Sequence, residues 1–251
     1  MAGHKALAKI KAVASLLPAF SLESAFSAFL LVVVPSYFWF NLAKIAGLGS
    51  VVSVSGELGS SVVADLGAYY LSLLRSAQVY SFVFIPFLVV AFLVHSLFGG
   101  SGRTIIDYVI AYDGSRARGL LVAWLSLLAV SSPIIIASSS PWLLLGYVLG
   151  VEARYAFLFS ASYGLGLVMW VTLCYIFLAL SRDAARYWLY VVAYLVALLF
   201  FTLGESSVLL RRLLSPFEGA SYALVGGSPE ALAYTIMAYT ALFYLAYLFR
   251  R

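Results

Sequence analysis

The chain has 251 residues, of which 64% are hydrophobic and only 10% charged, against roughly half apolar and about a quarter charged in an ordinary soluble domain. Several apolar runs approach the ~20 residues a helix needs to cross the hydrocarbon layer, so the composition excludes a soluble globular domain and points to an all-α membrane protein. The net charge of +5 comes from basic residues at the ends of apolar runs and not from a patch interleaved with aromatics, which marks topology and excludes a nucleic-acid surface.

In chain order, residues 1–24 carry Lys5, Lys9 and Lys11 on one side and Leu7, Ile10, Ala14 and Leu17 at helical spacing on another, the pattern of a helix lying in the membrane interface. Pro18, Ser21 and Glu23 break the apolar stretch that a cleaved signal peptide would need. A first span is expected over 25–45. Residues 47–78 then read as a small-residue loop followed by an outer interfacial helix with Leu66, Tyr69, Tyr70, Leu73 and Leu74 at helical spacing. Further spans are expected over 79–98, 119–138, 155–180, 188–203 and 229–249, making six in a single transmembrane domain that takes in the whole of 1–251. Pro35, Pro86 and Pro133 fall inside the first three and predict kinks, because membrane helices satisfy the freed carbonyls locally. Residues 142–151 are apolar but too short to span and read as an outer extension. Residues 204–228, interrupted at Pro216 and Gly219, read as an outer re-entrant or interfacial segment.

Basic residues orient the bundle. With the N-terminus inside, the cytoplasmic side holds Lys5, Lys9, Lys11, Arg103, Arg116, Arg118, Arg182, Arg186, Arg250 and Arg251, ten of the 15 Lys and Arg, and the outside holds Lys44, Arg75, Arg154, Arg211 and Arg212. The positive-inside rule then puts both termini in the cytoplasm of a multi-pass plasma-membrane protein.

Chemistry-bearing motifs are sparse. The chain has no G-x-x-x-x-G-K-[ST] phosphate loop and no H-E-x-x-H, and Cys174 is its only cysteine, so neither a disulfide framework nor a Cys-based metal site is available. His95 reads either as a proton relay or ligand, or as a hydrogen-bonded histidine facing the interface; no second histidine or nearby acid is evident to pair with it. Glu152 and Glu205 fall near outer span ends, and Asp107, Asp113 and Asp183 in inner connections, which weakens a proton- or sodium-coupled mechanism. Ser131, Ser132, Ser138, Ser139 and Ser140 cluster in the third span without the base that a serine nucleophile needs.

The most informative stretch is the inner connection SGRTIIDYVIAYDGSRARGLLVAW, residues 101–124. Ile105, Tyr108, Val109 and Tyr112 recur at helical spacing, Arg103, Asp107, Asp113, Arg116 and Arg118 supply charge, and Asp113-Gly114 marks a turn before the next span. This is either an interfacial helix that fixes the loop or a contact surface for a cytoplasmic partner, since aromatic and Arg side chains on a short rigid helix anchor interfaces.

This stretch resembles the connection between the second and third spans in permease subunits of type-2 ABC transporters, mostly exporters. Gly102-Arg103-Thr104-Ile105-Ile106-Asp107 sits where that family's helix begins, and Asp113-Gly114-Ser115-Arg116 at its turn, although Ser101 stands where the family has an acid and Asp107 falls one position later than the family's Glu. The resemblance continues more loosely: residues 1–24 are similar to its elbow helix, 173–188 to its fourth-to-fifth span junction and 213–224 to the segment before its last span. The resemblance implies a membrane subunit with no catalytic site or cofactor of its own, served by a separate ATPase subunit that binds ATP-Mg. A coupling helix bearing Arg103, Thr104, Ile105, Asp107, Tyr108 and Tyr112, with Arg116 at its turn, would dock into that ATPase. A second permease copy, identical or related, would complete the pathway in the lipid bilayer, with Gly146, Gly150, Gly164 and Gly166 as candidate close-approach positions. Other readings of the same residues are a secondary transporter or channel acting without an ATPase, and a membrane scaffold of a secretion or DNA-transfer assembly. Aromatic residues including Tyr37, Trp39, Phe157, Trp170 and Tyr175 suit either a hydrophobic cargo or interfacial packing.

Overall fold

The computed structural model describes residues 2–15, 17, 22, 25–33, 36–37, 84–97, 102–148, 153–181, 183–203 and 230–249, and the regular structure among them is helical. The outer segments expected over 47–78 and 204–228, and most of the first span beyond residue 33 with its Pro35, lie outside the described residues. The helices are α1 (Ala2–Ala14), α2 (Ile85–Leu97), α3 (Gly102–Asp113), α4 (Arg116–Val148), α5 (Ala153–Leu180), α6 (Ala184–Leu203) and α7 (Glu230–Phe249), with a further helical stretch at 25–33. Three contain stretches long and apolar enough to cross a membrane: Arg116–Ser140, Ser160–Leu180 and Leu232–Phe249. The apolar helices Ile85–Leu97 and Ala184–Phe200 are shorter.

Burial ranks the three. The apolar stretch of α5 is 72% buried, against 33% for α4 and 11% for α7, so α5 is the central helix and the others pack around it. Its sequence explains this: Leu167, Trp170, Val171, Leu173, Cys174, Tyr175 and Ile176 are all buried, covering every side of the helix, as expected of a helix with no face left for solvent. α4 and α2 pack on α5, and α7 and α6 pack on other parts of it.

Lipid is as apolar as these side chains, so helix association in a bilayer rests on close packing and interhelical hydrogen bonds. Tyr175 Oη donates to the Leu120 carbonyl of α4 at 2.7 Å, and Tyr187 Oη of α6 donates to the Ala91 carbonyl of α2 at 2.7 Å. Trp124 Nε1 donates to Thr172 Oγ1 at 3.1 Å, tying α4 to α5 one level further along, and Ser160 Oγ donates to the Ser139 carbonyl at 2.8 Å. Such bonds average about 0.6 kcal/mol each within membranes; the three spaced along the α4–α5 seam fix its register. Gly164 also belongs to this seam, because a Cβ there would meet Ser139 and Ile135 of α4 at 3.6–3.9 Å. Its close approach is made inside one chain.

α4 is longer than the expected third span and takes in most of the outer extension. At 33 residues it measures ~50 Å, beyond the ~30 Å hydrocarbon layer, and it runs unbroken through Pro133 and Pro141. Each proline denies an N–H to the carbonyl four residues back, and in both cases the preceding serine replaces it. Ser132 Oγ donates to the Ala129 carbonyl and Ser140 Oγ to the Ala137 carbonyl, both at 2.9 Å. Ser138 and Ser139 also donate to carbonyls of their own helix, so four of the five clustered serines are helix-internal donors, while Ser131 Oγ is buried without a partner among the described residues. Ser132→Ala should destabilise the protein by about 1 kcal/mol, and the loss should vanish when Pro133 is also alanine. Unfolding of the double-mutant cycle in bicelles measures both.

Candidate functional site

One end of the bundle gathers a set of charged and aromatic side chains among the described residues. α3 ends at Asp113, whose backbone leads into Gly114 at φ +66°, and the Gly114 N–H bonds to the Ile110 carbonyl at 3.1 Å. That is the left-handed glycine stop of a helix. Ser115 follows as the N-cap of α4, its carbonyl accepting from Gly119 N at 2.8 Å. The chain thus reverses within two residues, and α3 lies back against the start of α4. Gly119 makes this possible: a Cβ there would sit 2.6 Å from Ile110 Cα, so the two backbones nearly touch.

The sequence periodicity expected Ile105, Tyr108, Val109 and Tyr112 as one face. The structure divides them. Ile106 and Val109 are buried, with Ile105 and Ile110 packed against the core, whereas Tyr108 is 60% and Tyr112 70% exposed. Their rings lie nearly parallel, 16° apart with centroids 6.5 Å apart. The tyrosines stand at the edge of the buried stripe, so the face that α3 presents outward is aromatic. Arg103 and Thr104 occupy the first turn of α3, and Asp107 is half-buried in its middle.

Three further contacts brace this end. Lys9 of α1 forms an ion pair with Asp113, whose side chain is only 4% exposed. Ser126 Oγ of α4 donates to the Ile10 carbonyl at 3.2 Å as well as to Val122 in its own helix at 2.7 Å, and Val13 and Leu17 are buried. The face of α1 that packs is therefore centred on Val13, while Leu7, expected on the same stripe, is exposed. Arg116, a candidate docking residue by resemblance, lies near the end of α7: its guanidinium donates to the Tyr247 carbonyl at 3.4 Å and sits 6.0 Å from that ring's centroid. A cation among the last carbonyls of a helix is favourably placed. Asp183 caps α6 through its Oδ1 on Arg186 N at 2.8 Å, which starts that helix four residues before the expected span.

The contacts among α1, α3, the start of α4 and the end of α7 place Lys9, Arg116 and Arg118 at one end of the bundle, and Arg154 near the start of α5 at the other. His95 belongs to the same polar end, its ring 5.5 Å from those of both Tyr187 and Trp188. Among the described residues no group of three His, Cys, Asp or Glu is arranged to hold a metal.

Two pockets flank these elements. The larger, about 390 Å³, lies within the apolar layer between α4, α5 and α7, bordered by Leu121, Trp124, Met169, Thr172, Tyr239 and Phe243 among others. Its lining suits an apolar group and offers nothing to neutralise a charge. The smaller, about 250 Å³, lies between α1, α3 and α4 beside Lys9, Tyr108, Tyr112 and Asp113. Sequence reading picked out α3 but missed Gly119 and the burial of Asp113. The signal for the first was a second glycine five residues after Gly114, at the entrance of an apolar helix.

No protein-family model, curated protein or solved structure matches the chain.

Proposed function

We propose that this protein is the membrane-spanning subunit of an ATP-driven ABC transporter of the exporter type, working by alternating access with a separate ATPase subunit. The observation that carries the reading is α3: a short helix outside the long spans, seated on α4 where Ile110 meets Gly119, with Ile106 and Val109 buried and Tyr108 and Tyr112 turned outward. A rigid aromatic surface of this kind is what a partner's pocket grips, and its two-residue link to α4 passes a push on α3 directly to a long apolar helix. In this reading α1 is the elbow helix, α3 the coupling helix, and the basic end of the bundle faces the cytoplasm. Six spans per chain and two permease copies, identical or related, enclose the pathway in the plasma membrane, while ATP-Mg binds in the partner.

Purification of the tagged chain from its native membranes in mild detergent, with mass spectrometry of what accompanies it, tests the proposal. A stoichiometric ATPase subunit is the expected result. Purification without one, under conditions that keep other membrane complexes whole, contradicts it and favours gradient-driven transport by this chain alone.

A further inference from the structure

The smaller pocket contains a carboxylate in an unfavourable position. Asp113 is buried, with Oδ1 paired to the Lys9 ammonium, and its Oδ2 is also buried but has no hydrogen-bond partner among the described residues. It stands at the C-terminal end of α3, where the helix's own carbonyls already make the field negative. An oxygen desolvated without a donor adds a second cost. Lys9 accounts for the charge and for Oδ1; Oδ2 is the acceptor left open to a donor that arrives from outside. Two tyrosines on the pocket wall, Tyr108 and Tyr112, offer nearly parallel rings beside it.

We propose that this pocket receives the guanidinium of an arginine on the docked partner protein. The Asp113 carboxylate turns its closed Oδ2 toward the pocket, one N–H donates to it, and the guanidinium plane lies against the exposed tyrosine faces. A guanidinium fits better than an ammonium because it is planar, weakly hydrated and stacks on aromatic rings. A carboxylate has acceptor sites on both oxygens, so Lys9 keeps Oδ1 while the arginine takes Oδ2. The volume of about 250 Å³ falls below the ~300 Å³ at which sites for drug-sized ligands begin, and matches the insertion of a single side chain. The inference rests on the reading of α3 as a docking helix and adds the chemistry of what it docks.

The full-length chain in nanodiscs, with a fluorinated tyrosine at position 108, is titrated with N-acetylarginine amide and followed by fluorine NMR. A saturable shift is expected. Citrulline amide, which has the shape without the charge, and ethanolamine, which has the charge of a lipid headgroup without the plane, should give none. Asp113→Asn should weaken binding about tenfold or more, the loss of a charge-assisted bond. Tyr112→Leu, which leaves the Lys9–Asp113 pair intact, should weaken it about threefold. The proposal is overturned by equal shifts with citrulline or ethanolamine, by unchanged affinity in Asp113→Asn, or by no saturable shift with the arginine probe. Arginine binding in a chain that purifies without an ATPase would overturn the transporter reading and leave the pocket standing. An ATPase that co-purifies with a chain blind to arginine would do the reverse.

Discussion

Replacing Tyr108 and Tyr112 together by alanine should weaken the complex with the proposed ATPase subunit by about 30-fold or more, the loss of at least ~2 kcal/mol typical when an interface anchor is truncated. Both rings are more than half exposed and neither fills the core, so the variant should melt with the parent and insert normally. Buried Ile106 and Val109, and the approach of Ile110 to Gly119 of α4, hold α3 in place independently of the tyrosines. Titration of the purified ATPase onto nanodisc-embedded chain separates the two effects: an unchanged melt with lost affinity is the expected pair of results. Unchanged affinity would mean that α3 is only a structural brace.

Gly119→Ala should act through the opposite route. Its Cβ would sit 2.6 Å from Ile110 Cα and 3.0 Å from Ile110 N, and backbone cannot move aside as the end of a flexible side chain can. Overpacking at such a site costs about 1–3 kcal/mol, and here the strain is relieved by lifting α3 from α4. Val109, buried in the parent, then becomes reachable. A cysteine at 109 should react slowly with a membrane-impermeant maleimide in the parent background and at least about tenfold faster beside Gly119→Ala, the ratio expected if lifting α3 relieves more than ~1.4 kcal/mol. Equal rates would show that the seat of α3 tolerates the methyl group. If the protein works as proposed, transport coupling should fall with α3 displaced, even though both tyrosines remain.

Parts of this fold were legible in the sequence because they follow from short-range patterns. The apolar runs at 155–180 and 229–249 match α5 and α7 to within two residues, since length and hydropathy alone decide a membrane helix. The helix and turn around residues 102–114 were legible for the same reason, the glycine at 114 being the residue that a left-handed stop requires. What was not legible depended on neighbours distant in sequence. Periodicity grouped Tyr108 and Tyr112 with Val109, because all are apolar enough to score alike; only the crossing of α4 at Gly119 decides which side of α3 is covered. Asp113 reads as an ordinary turn residue until Lys9, more than a hundred positions earlier, is seen to pair with it. Residues 142–151 read as a separate outer extension because they are too short to span alone, whereas Ser132 and Ser140 supply the bonds that let α4 continue through Pro133 and Pro141 into them.

The most direct test of the central claim is site-directed cross-linking in native membranes, with a benzophenone amino acid at position 108 and, as the control, at position 143 near the far end of α4. The account predicts a cross-link from position 108 to an ATPase subunit and none to it from position 143. Cross-links to the ATPase from position 143, or none from 108 in membranes where the ATPase is present, would contradict docking through α3.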